Sequence, residues 1–220
     1  YSMLRLHVGD YSPQVWASFR ERRRCPGFPL TVSRCPAPPW KGEALAGKGI
    51  LTYGEQGLGD EILFASCYPD LISQSSHCVI ETEPRLEALF RRSFPAATVL
   101  GRQRESDLAA VYRSVSWQAP CGDLPYYYRA SAAAFPDRPA YLAADPEKVH
   151  RWKQRLDGLG PGPKIGISWR GGTARTRQEL RSAPLSHWRP VLAMPGLHFI
   201  SLQYGDSAGD LEQARGSLGV

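Results

Sequence analysis

A glycine-containing loop followed by an acidic residue is the first feature of this sequence that could do chemistry. In the stretch GILTYGEQGLGDEILF a short apolar run leads into Gln56, Gly57, Gly59 and Asp60, and the chain then becomes almost continuously apolar. Asp60 stands at the predicted start of a helix, where the helix dipole favours an ionised carboxylate. Such a carboxylate can deprotonate or orient a hydroxyl group, but aspartate is also a common helix cap. Both interpretations of Asp60 stay open on the sequence alone.

Known phosphate-binding motifs fit this part of the chain poorly. The loop lacks the third glycine of G-x-G-x-x-G, because that position is Ile62. Glu81 and Glu83 stand near the distance at which a dinucleotide site carries its acid, so such a site is weakened but stays open. Residues 42–48 match G-x-x-x-x-G-K, yet they precede a strand and no hydroxyl residue follows the lysine. We therefore reject a P-loop.

A second candidate segment, SWRGGTARTRQELRSAPL, covers residues 168–185. A strand is predicted to end at Trp169, and Arg170, Gly171 and Gly172 follow at its carboxyl end, the side on which ligands of open α/β sheets bind. The glycine pair permits close approach of the backbone, and arginine is suited to binding a diphosphate. The further arginines of the segment that could take part are Arg175, Arg177 and Arg181. A solvated basic loop is the alternative.

Strands and helices alternate from Lys48 onward, which predicts parallel βαβ units and an α/β fold. The predicted strands are 49–54, 77–82, 97–101, 164–169 and 197–204. The predicted helices are 9–24, 60–73 (kinked or restarted at Pro69), 84–93, 146–160 and 185–194. The segment 101–140 is less periodic, and the glycine- and proline-containing link 159–164 predicts a boundary between two α/β units.

The composition predicts a globular protein. The chain has 220 residues, 42% of them hydrophobic, and a net charge of +6. It lacks an apolar run of the ~20 residues that a membrane helix needs, and its first residues do not resemble a signal peptide. A cytoplasmic location without a membrane span is therefore expected. The five cysteines show no C-x-x-C pair, so buried or idle thiols are expected. Nucleic-acid binding is not expected, since the arginine excess accompanies no recognition motif.

Several segments together, in this order, resemble a known family. They are GEQGLGDEILFASCYPDL, VIETEPRLEALFRRSFP, KIGISWRGG with RSAPL, and HFISLQYG. The resemblance is to bacterial tetratricopeptide-repeat proteins with a C-terminal GT-B glycosyltransferase region, which is similar to heptosyltransferases and more distantly to O-GlcNAc transferase. The segments YSPQVWASFRERR and PPWKGEALAGK resemble the last helical repeat of such proteins and its linker.

The resemblance implies a GT-B-like architecture. Residues 1–40 would be a helical repeat remnant with a proline-rich linker, 41–160 an acceptor-side Rossmann-like domain, and 161–220 the first part of a donor-side Rossmann-like domain. A later donor-binding segment of the family would lie beyond Val220. Two Rossmann-like domains would face each other across a cleft.

The same resemblance implies a metal-independent, inverting glycosyltransferase. A nucleotide-sugar would be the donor substrate, a protein or a glycan the acceptor, and neither a metal nor a further cofactor is expected. Asp60 would be the catalytic base, beside an acceptor-side loop of Gln56, Gly57 and Gly59. The donor phosphates would meet Arg170, Gly171, Gly172, Arg181 and Ser182. The alternative is a non-catalytic module that binds a partner protein, with the N-terminal helical segment as the contact.

Overall fold

The computed structural model describes residues 1–26, 33–102, 108–172 and 178–218, with side chains to residue 216. Arg175 and Arg177, two of the predicted anion-binding residues, lie outside the described residues. The chain divides into two compact units, Tyr1–Asp145 and Pro146–Val220.

The first unit is built on a four-stranded parallel sheet with the strand order β3-β2-β1-β4. The strands are β1 (Gly49–Tyr53), β2 (His77–Thr82), β3 (Thr98–Gly101) and β4 (Trp117–Pro120). Leu51 of β1 pairs with Val79 on one side and with Gln118 on the other. The chain moves outward from β1 to β3 and then returns to the other side of β1. This reversal makes a topological switch point between β1 and β4, where open α/β sheets bind their ligands.

Helices connect these strands and precede them. The α-helices are α1 (Ser2–His7), α2 (Pro13–Arg20), α3 (Leu58–Phe64), α4 (Tyr68–Gln74), α5 (Pro84–Ser93), α6 (Leu108–Arg113) and α7 (Leu124–Tyr128). Short 3₁₀ helices cover Glu21–Arg24, Ala65–Cys67, Cys121–Asp123 and Ala132–Ala134. Pro69 lies in the first turn of α4, where a missing N–H costs least. The predicted restart of the helix at this proline is confirmed.

The N-terminal helices belong to the core of this first unit. Trp16 and Phe19 of α2 are buried in the same cluster as Ile50 and Tyr68. The indole N–H of Trp16 donates a hydrogen bond of 2.7 Å to the carbonyl of Arg129. The segment before β1 is therefore an integral layer of the α/β unit and shares its apolar core.

The second unit contains a parallel pair of strands, β5 (Lys164–Ile167) and β6 (His198–Ser201). Its helices are α8 (Pro146–Asp157), α9 (Arg189–Leu192) and α10 (Ala208–Leu218), with 3₁₀ helices at Gln178–Arg181 and Leu185–Trp188. Its buried apolar residues are Ile167, Trp169, Leu185, Leu192 and Ala214. Helix α8 groups with this unit, whereas the sequence placed it in the domain 41–160.

The α/β class and the parallel sheet are confirmed. The sequence missed α1, α6, α7, α10 and β4, and it extended α2 to residue 24, where the chain tightens into a 3₁₀ turn. The predicted helix 185–194 is a 3₁₀ helix followed by the one turn of α9. No helix within the described residues is both long and apolar enough to span a membrane.

Candidate functional site

The switch point of the first unit is filled by a buried group of charges. Glu55 is the second residue after β1, and Asp123 lies in the 3₁₀ turn after β4; both are almost fully buried. The Arg22 guanidinium, from the N-terminal segment, lies between them: it bonds to the Glu55 carboxylate, and its Nη2 lies 2.9 Å from Asp123 Oδ1. Gly122 makes room for this arrangement, because a Cβ there would overlap both Glu55 and Arg22. The protein thus occupies this crevice with its own arginine.

The neighbouring residues extend this group of charges. Arg20 and Arg23 also contact Asp123, at 3.2 and 2.8 Å. Burial, and secondarily the nearby Glu55 carboxylate, raises the pKa of the Cys121 thiol well above its ordinary value. That thiol is therefore neutral at physiological pH and is a poor nucleophile.

A second buried carboxylate, Glu61 of α3, joins the ends of the next strands. Glu61 Oε2 accepts hydrogen bonds from the Thr82 hydroxyl at 2.6 Å and from the Glu83 backbone N–H at 2.9 Å. Its Oε1 lies 3.2 Å from Nη2 of Arg102, which follows β3. Gly54 lies directly above the carboxylate, and a Cβ there would overlap it. Glu61 therefore fixes the carboxyl edge of the sheet and the loop that leads to Asp60.

Asp60 caps α3 and also lines a cavity. Its Oδ2 accepts a hydrogen bond of 3.0 Å from the backbone N–H of Gly57, the N-cap residue directly before the helix. The cavity has a volume of about 340 Å³, and Gln56, Ser66 and Arg129 supply its other polar side chains together with His7. Trp16, Phe19 and Phe64 belong to its apolar wall. The capping interpretation of Asp60 is confirmed, and its position in the cavity leaves its other oxygen available to a ligand.

The two loop glycines that the sequence singled out do not have left-handed backbone angles. Gly57 has φ −78° and ψ 166°, which any residue can adopt. A Cβ at Gly57 would lie 3.2 Å from Asp60 Oδ2, so this glycine leaves space for the cap. Gly59 lies inside α3, and a Cβ there would have no atom within 4 Å. The glycine on which this turn depends is Gly54.

In the second unit a glutamine side chain ties together the loops that follow β5 and β6. Gln203 Oε1 accepts hydrogen bonds from the backbone N–H groups of Trp169 and Arg170, at 3.0 and 2.8 Å, and from the Ser168 hydroxyl at 3.1 Å. Its Nε2 donates to the Arg170 carbonyl at 3.1 Å. The amide oxygen thus binds two backbone N–H groups that directly precede the predicted anion-binding glycines Gly171 and Gly172.

The Arg170 side chain lies at the edge of a cavity of about 410 Å³ and is paired within its own unit. Its Nε lies 3.1 Å from Asp210 Oδ2, and its guanidinium also donates to the Asp206 carbonyl. The Trp169 indole N–H donates to the same Asp210 oxygen at 2.7 Å. Ser182 lines this cavity too, with its hydroxyl donating to the Gln178 carbonyl at 2.7 Å. Arg170 and Ser182 are thus brought together.

The remaining predicted donor-side residues, Gly171, Gly172 and Arg181, do not line this cavity. Gly172 has φ +80°, a left-handed conformation that favours glycine, and it lines a smaller adjacent cavity of about 180 Å³ with Arg170 and Tyr204. A Cβ at Gly171 would lie 3.5 Å from the Arg181 carbonyl, an ordinary contact. The Arg181 side chain is exposed.

Sequence reasoning missed the residues that hold both sites in place. These are Arg22, Glu55, Glu61, Asp123, Gln203 and Asp210. A usable signal existed for two of them, since Glu55 and Gln203 come within two residues of the ends of predicted strands. For the others the partners are far apart in sequence, and nothing local indicates the pairing.

Taken together, these features define an α/β protein of two compact units, each with a cavity near the carboxyl ends of its parallel strands. Among characterised proteins it is similar to Protein FlbA of Caulobacter vibrioides, with 36% identity over 197 residues, which cover 84% of this chain and 33% of that protein. The chain thus spans about a third of the length of the curated relative that it matches. No protein-family model and no solved structure matches it.

These comparisons overturn the resemblance drawn from the sequence. The relative found is FlbA, whose name carries neither a repeat nor a transferase, and no family model of either kind matches. The identification with tetratricopeptide-repeat proteins carrying a GT-B glycosyltransferase region is therefore wrong. The structure supplies the physical reason at the N-terminus. A tetratricopeptide repeat pairs two helices within about 34 residues, whereas α1 and α2 have only 6 and 8 residues, and α2 is buried in the core of the α/β unit while α1 has no buried residue.

Proposed function

We propose that this chain binds a nucleotide-sugar and transfers its sugar to an acceptor hydroxyl. The observation that supports the proposal is the pair of cavities: one contains a carboxylate, Asp60, and the other contains an arginine, Arg170. The chemistry of sugar transfer calls for these two groups, one to orient or deprotonate the acceptor and one to stabilise the leaving diphosphate. The finer fold assignment, two Rossmann-like units of a GT-B-like enzyme, is part of this proposal.

In this proposal the first unit handles the acceptor. Asp60 Oδ2 is held by the Gly57 N–H, and so the carboxylate has a fixed orientation at the cavity wall. Asp60 is then a hydrogen-bond acceptor that orients the hydroxyl, and it takes the proton as the bond to the sugar forms.

The second unit would hold the diphosphate. Its cavity is bounded by Arg170, by the Ser182 hydroxyl and by the acid Asp210. For a diphosphate to bind, Arg170 must exchange part of its contact with Asp210 for the phosphate oxygens. An arginine fork can serve both, because it presents five N–H donors.

The test measures donor binding and transfer separately. The 220-residue chain is titrated calorimetrically with UDP-, GDP-, CMP- and ADP-sugars, and release of the free nucleotide is then followed with candidate acceptors. We expect Arg170→Ala to weaken binding of the donor at least tenfold, while Arg189→Ala, an exposed arginine of the same unit, leaves it unchanged. Asp60→Asn keeps donor binding and lowers turnover at least a hundredfold. Its matched control is Asp157→Asn, at an exposed helix end.

A non-catalytic binding module is the second candidate function, and one observation favours it. Asp60 and Arg170 both have partners inside their own units, as charges in a purely structural role would. If the chain is such a module, none of the nucleotide-sugars in the panel binds to it. Its binding to a partner protein then depends on the exposed α1 residues Met3 and Leu4. Heat of binding from any nucleotide-sugar, abolished by Arg170→Ala, excludes it.

A further inference from the structure

The cavity of the first unit is a chemically mixed site. Three aromatic side chains of its wall, Trp16, Phe19 and Phe64, are buried. At its rim lie Leu63 and Phe135, which are 60% and 44% exposed although they are large and apolar. A volume of about 340 Å³ is within the size range of small-ligand sites, and such sites combine apolar walls with a few polar groups.

One of the polar groups in the cavity wall is incompletely satisfied. Arg129 is 3% exposed; its Nη atoms donate to the carbonyls of Tyr128 and Ser66 and to the Asp70 carboxylate. Its buried Nε has no hydrogen-bond partner within the described part of the chain. Buried donors in native proteins nearly always have an acceptor, and this one, beside the cavity but closed to water, gains an acceptor only when a ligand shifts the Arg129 side chain.

The charges of the cavity favour a neutral ligand. Asp70 is shared by two arginines, Arg129 at 2.7 Å and Arg138 at 2.9 Å, and the Asp60 carboxylate in the cavity wall offsets the one positive charge that is left. Asp60 repels an anion and accepts a hydrogen bond from a hydroxyl. A ligand with one hydroxyl group fits this wall better than a glycan with many, since each hydroxyl group placed against Trp16, Phe19 or Phe64 would lose its hydrogen bonds to water without gaining a partner.

We infer that this cavity binds a neutral alcohol with an apolar, ring-sized body, whose hydroxyl donates to Asp60 and accepts from Arg129. This inference rests on the proposed function, in which it makes the acceptor an apolar alcohol instead of a glycan. The apolar body packs between Trp16 and Phe64, and the hydroxyl lies at the polar end beside the Gly57–Asp60 turn. Leu63 closes the rim.

The experiment uses 4-fluorobenzyl alcohol as the probe and follows it by ¹⁹F NMR with the full 220-residue chain and no donor. We expect saturable binding. We also expect binding at least threefold weaker for 4-fluorotoluene, which lacks the hydroxyl, and no displacement of the probe by methyl glucoside. Leu63→Glu should weaken binding at least tenfold, because it places a charge at the apolar rim. The matched variant Leu180→Glu, at an exposed leucine of the second unit, should leave it unchanged.

Asp60→Asn tests the polar end. It should lower affinity for the alcohol several-fold and leave affinity for 4-fluorotoluene unchanged, which mere loosening of the helix would not do. The inference is overturned by an absence of saturable binding, by equal binding to the wild type and Leu63→Glu, or by displacement with methyl glucoside. Because no donor is present, a chain that binds the alcohol but transfers no sugar supports this inference and removes only the proposed function. A chain that transfers sugar to glycans but does not bind the alcohol supports the proposed function and removes this inference.

Discussion

The carboxyl edges of the two parallel sheets are held by different kinds of contact. In the first unit the fixing group is Glu61, a fully buried carboxylate that joins Thr82, Glu83 and Arg102. In the second it is Gln203, a half-buried neutral amide that joins the loops after β5 and β6. A buried charge is costly to leave unpaired, whereas a neutral amide near the surface can exchange its partners for water. The first edge is therefore the rigid one, and the second is the one that can rearrange around a ligand.

The same contrast holds for the charges nearest each edge. At the first edge Arg22, Glu55 and Asp123 are all almost fully buried and paired with one another. At the second edge the side chains of Arg170 and Asp210 are about one-third exposed, at 31% and 35%. Screening by solvent lowers the cost of separating such a pair. A diphosphate can compete for Arg170, but a ligand cannot easily compete for Arg22.

The largest expected effect comes from removing the central carboxylate of the first edge. Glu61→Ala leaves the Arg102 guanidinium and the Thr82 hydroxyl without their partner. We expect it to lower the free energy of unfolding by about 3–5 kcal/mol. Urea denaturation followed by circular dichroism measures this loss. The control is Glu21→Ala, which removes an exposed pair with Arg24 and should cost ~0–1 kcal/mol. Equal losses in the two variants would contradict a special role for burial at this edge.

Smaller effects on stability are expected from alanine substitutions at Gly54 and Gly59, and the two effects should have opposite signs. Gly54→Ala places a methyl group against the Glu61 carboxylate and should destabilise the protein by about 1–3 kcal/mol. Gly59→Ala meets no atom within 4 Å inside α3 and should stabilise it by about 0.5–1 kcal/mol. Thermal unfolding of both variants checks the signs. If Gly59→Ala proves the more harmful, the turn depends on the glycine that the sequence singled out, and our assignment to Gly54 is wrong.

The sequence predicted much of the fold because local periodicity determines it. The apolar run of β1, the run of β2 and the proline-started helix α5 all lie where their patterns placed them. Strand β4 was missed because its four residues, Trp117–Pro120, show no alternation and end in proline. A proline in a strand usually argues against the assignment. Here the proline, Pro120, is the last residue of the strand, so the strand assignment holds.

The candidate sites were predictable only in part. Asp60 and Arg170 could be found because each follows a glycine- or strand-based pattern in its own segment. The contact between Arg22 and Glu55 joins residues 33 positions apart, and that between Arg23 and Asp123 joins residues 100 apart. Such pairs depend on where the N-terminal helices pack against the sheet. No local pattern contains that information, and so the sequence analysis assigned no role to Arg22.

The smallest expected effect is at the carboxyl edge of the second sheet, and its measurement tests whether that edge can rearrange around a ligand. Gln203→Ala removes the acceptor shared by Trp169 N–H and Arg170 N–H, and water can replace it at this half-buried position. We therefore expect a loss of about 1 kcal/mol in stability, within the range for neutral hydrogen bonds. Hydrogen exchange of these two amides should become about fivefold faster, while the amide of Ile80, in the core of β2, is unaffected.

The control and the contrary outcome follow from the same contacts. Gln154→Ala, on the exposed face of α8, should change neither amide. If Gln203→Ala instead unfolds the second unit, the amide is as essential as Glu61 and the two edges are equally rigid. If the two N–H groups exchange more slowly when inorganic pyrophosphate is added to Gln203→Ala, an anionic oxygen has taken the place of the amide oxygen. That result would identify this pair of N–H groups as the anion-binding part of the second unit, with Gln203 as its resident occupant when no ligand is bound.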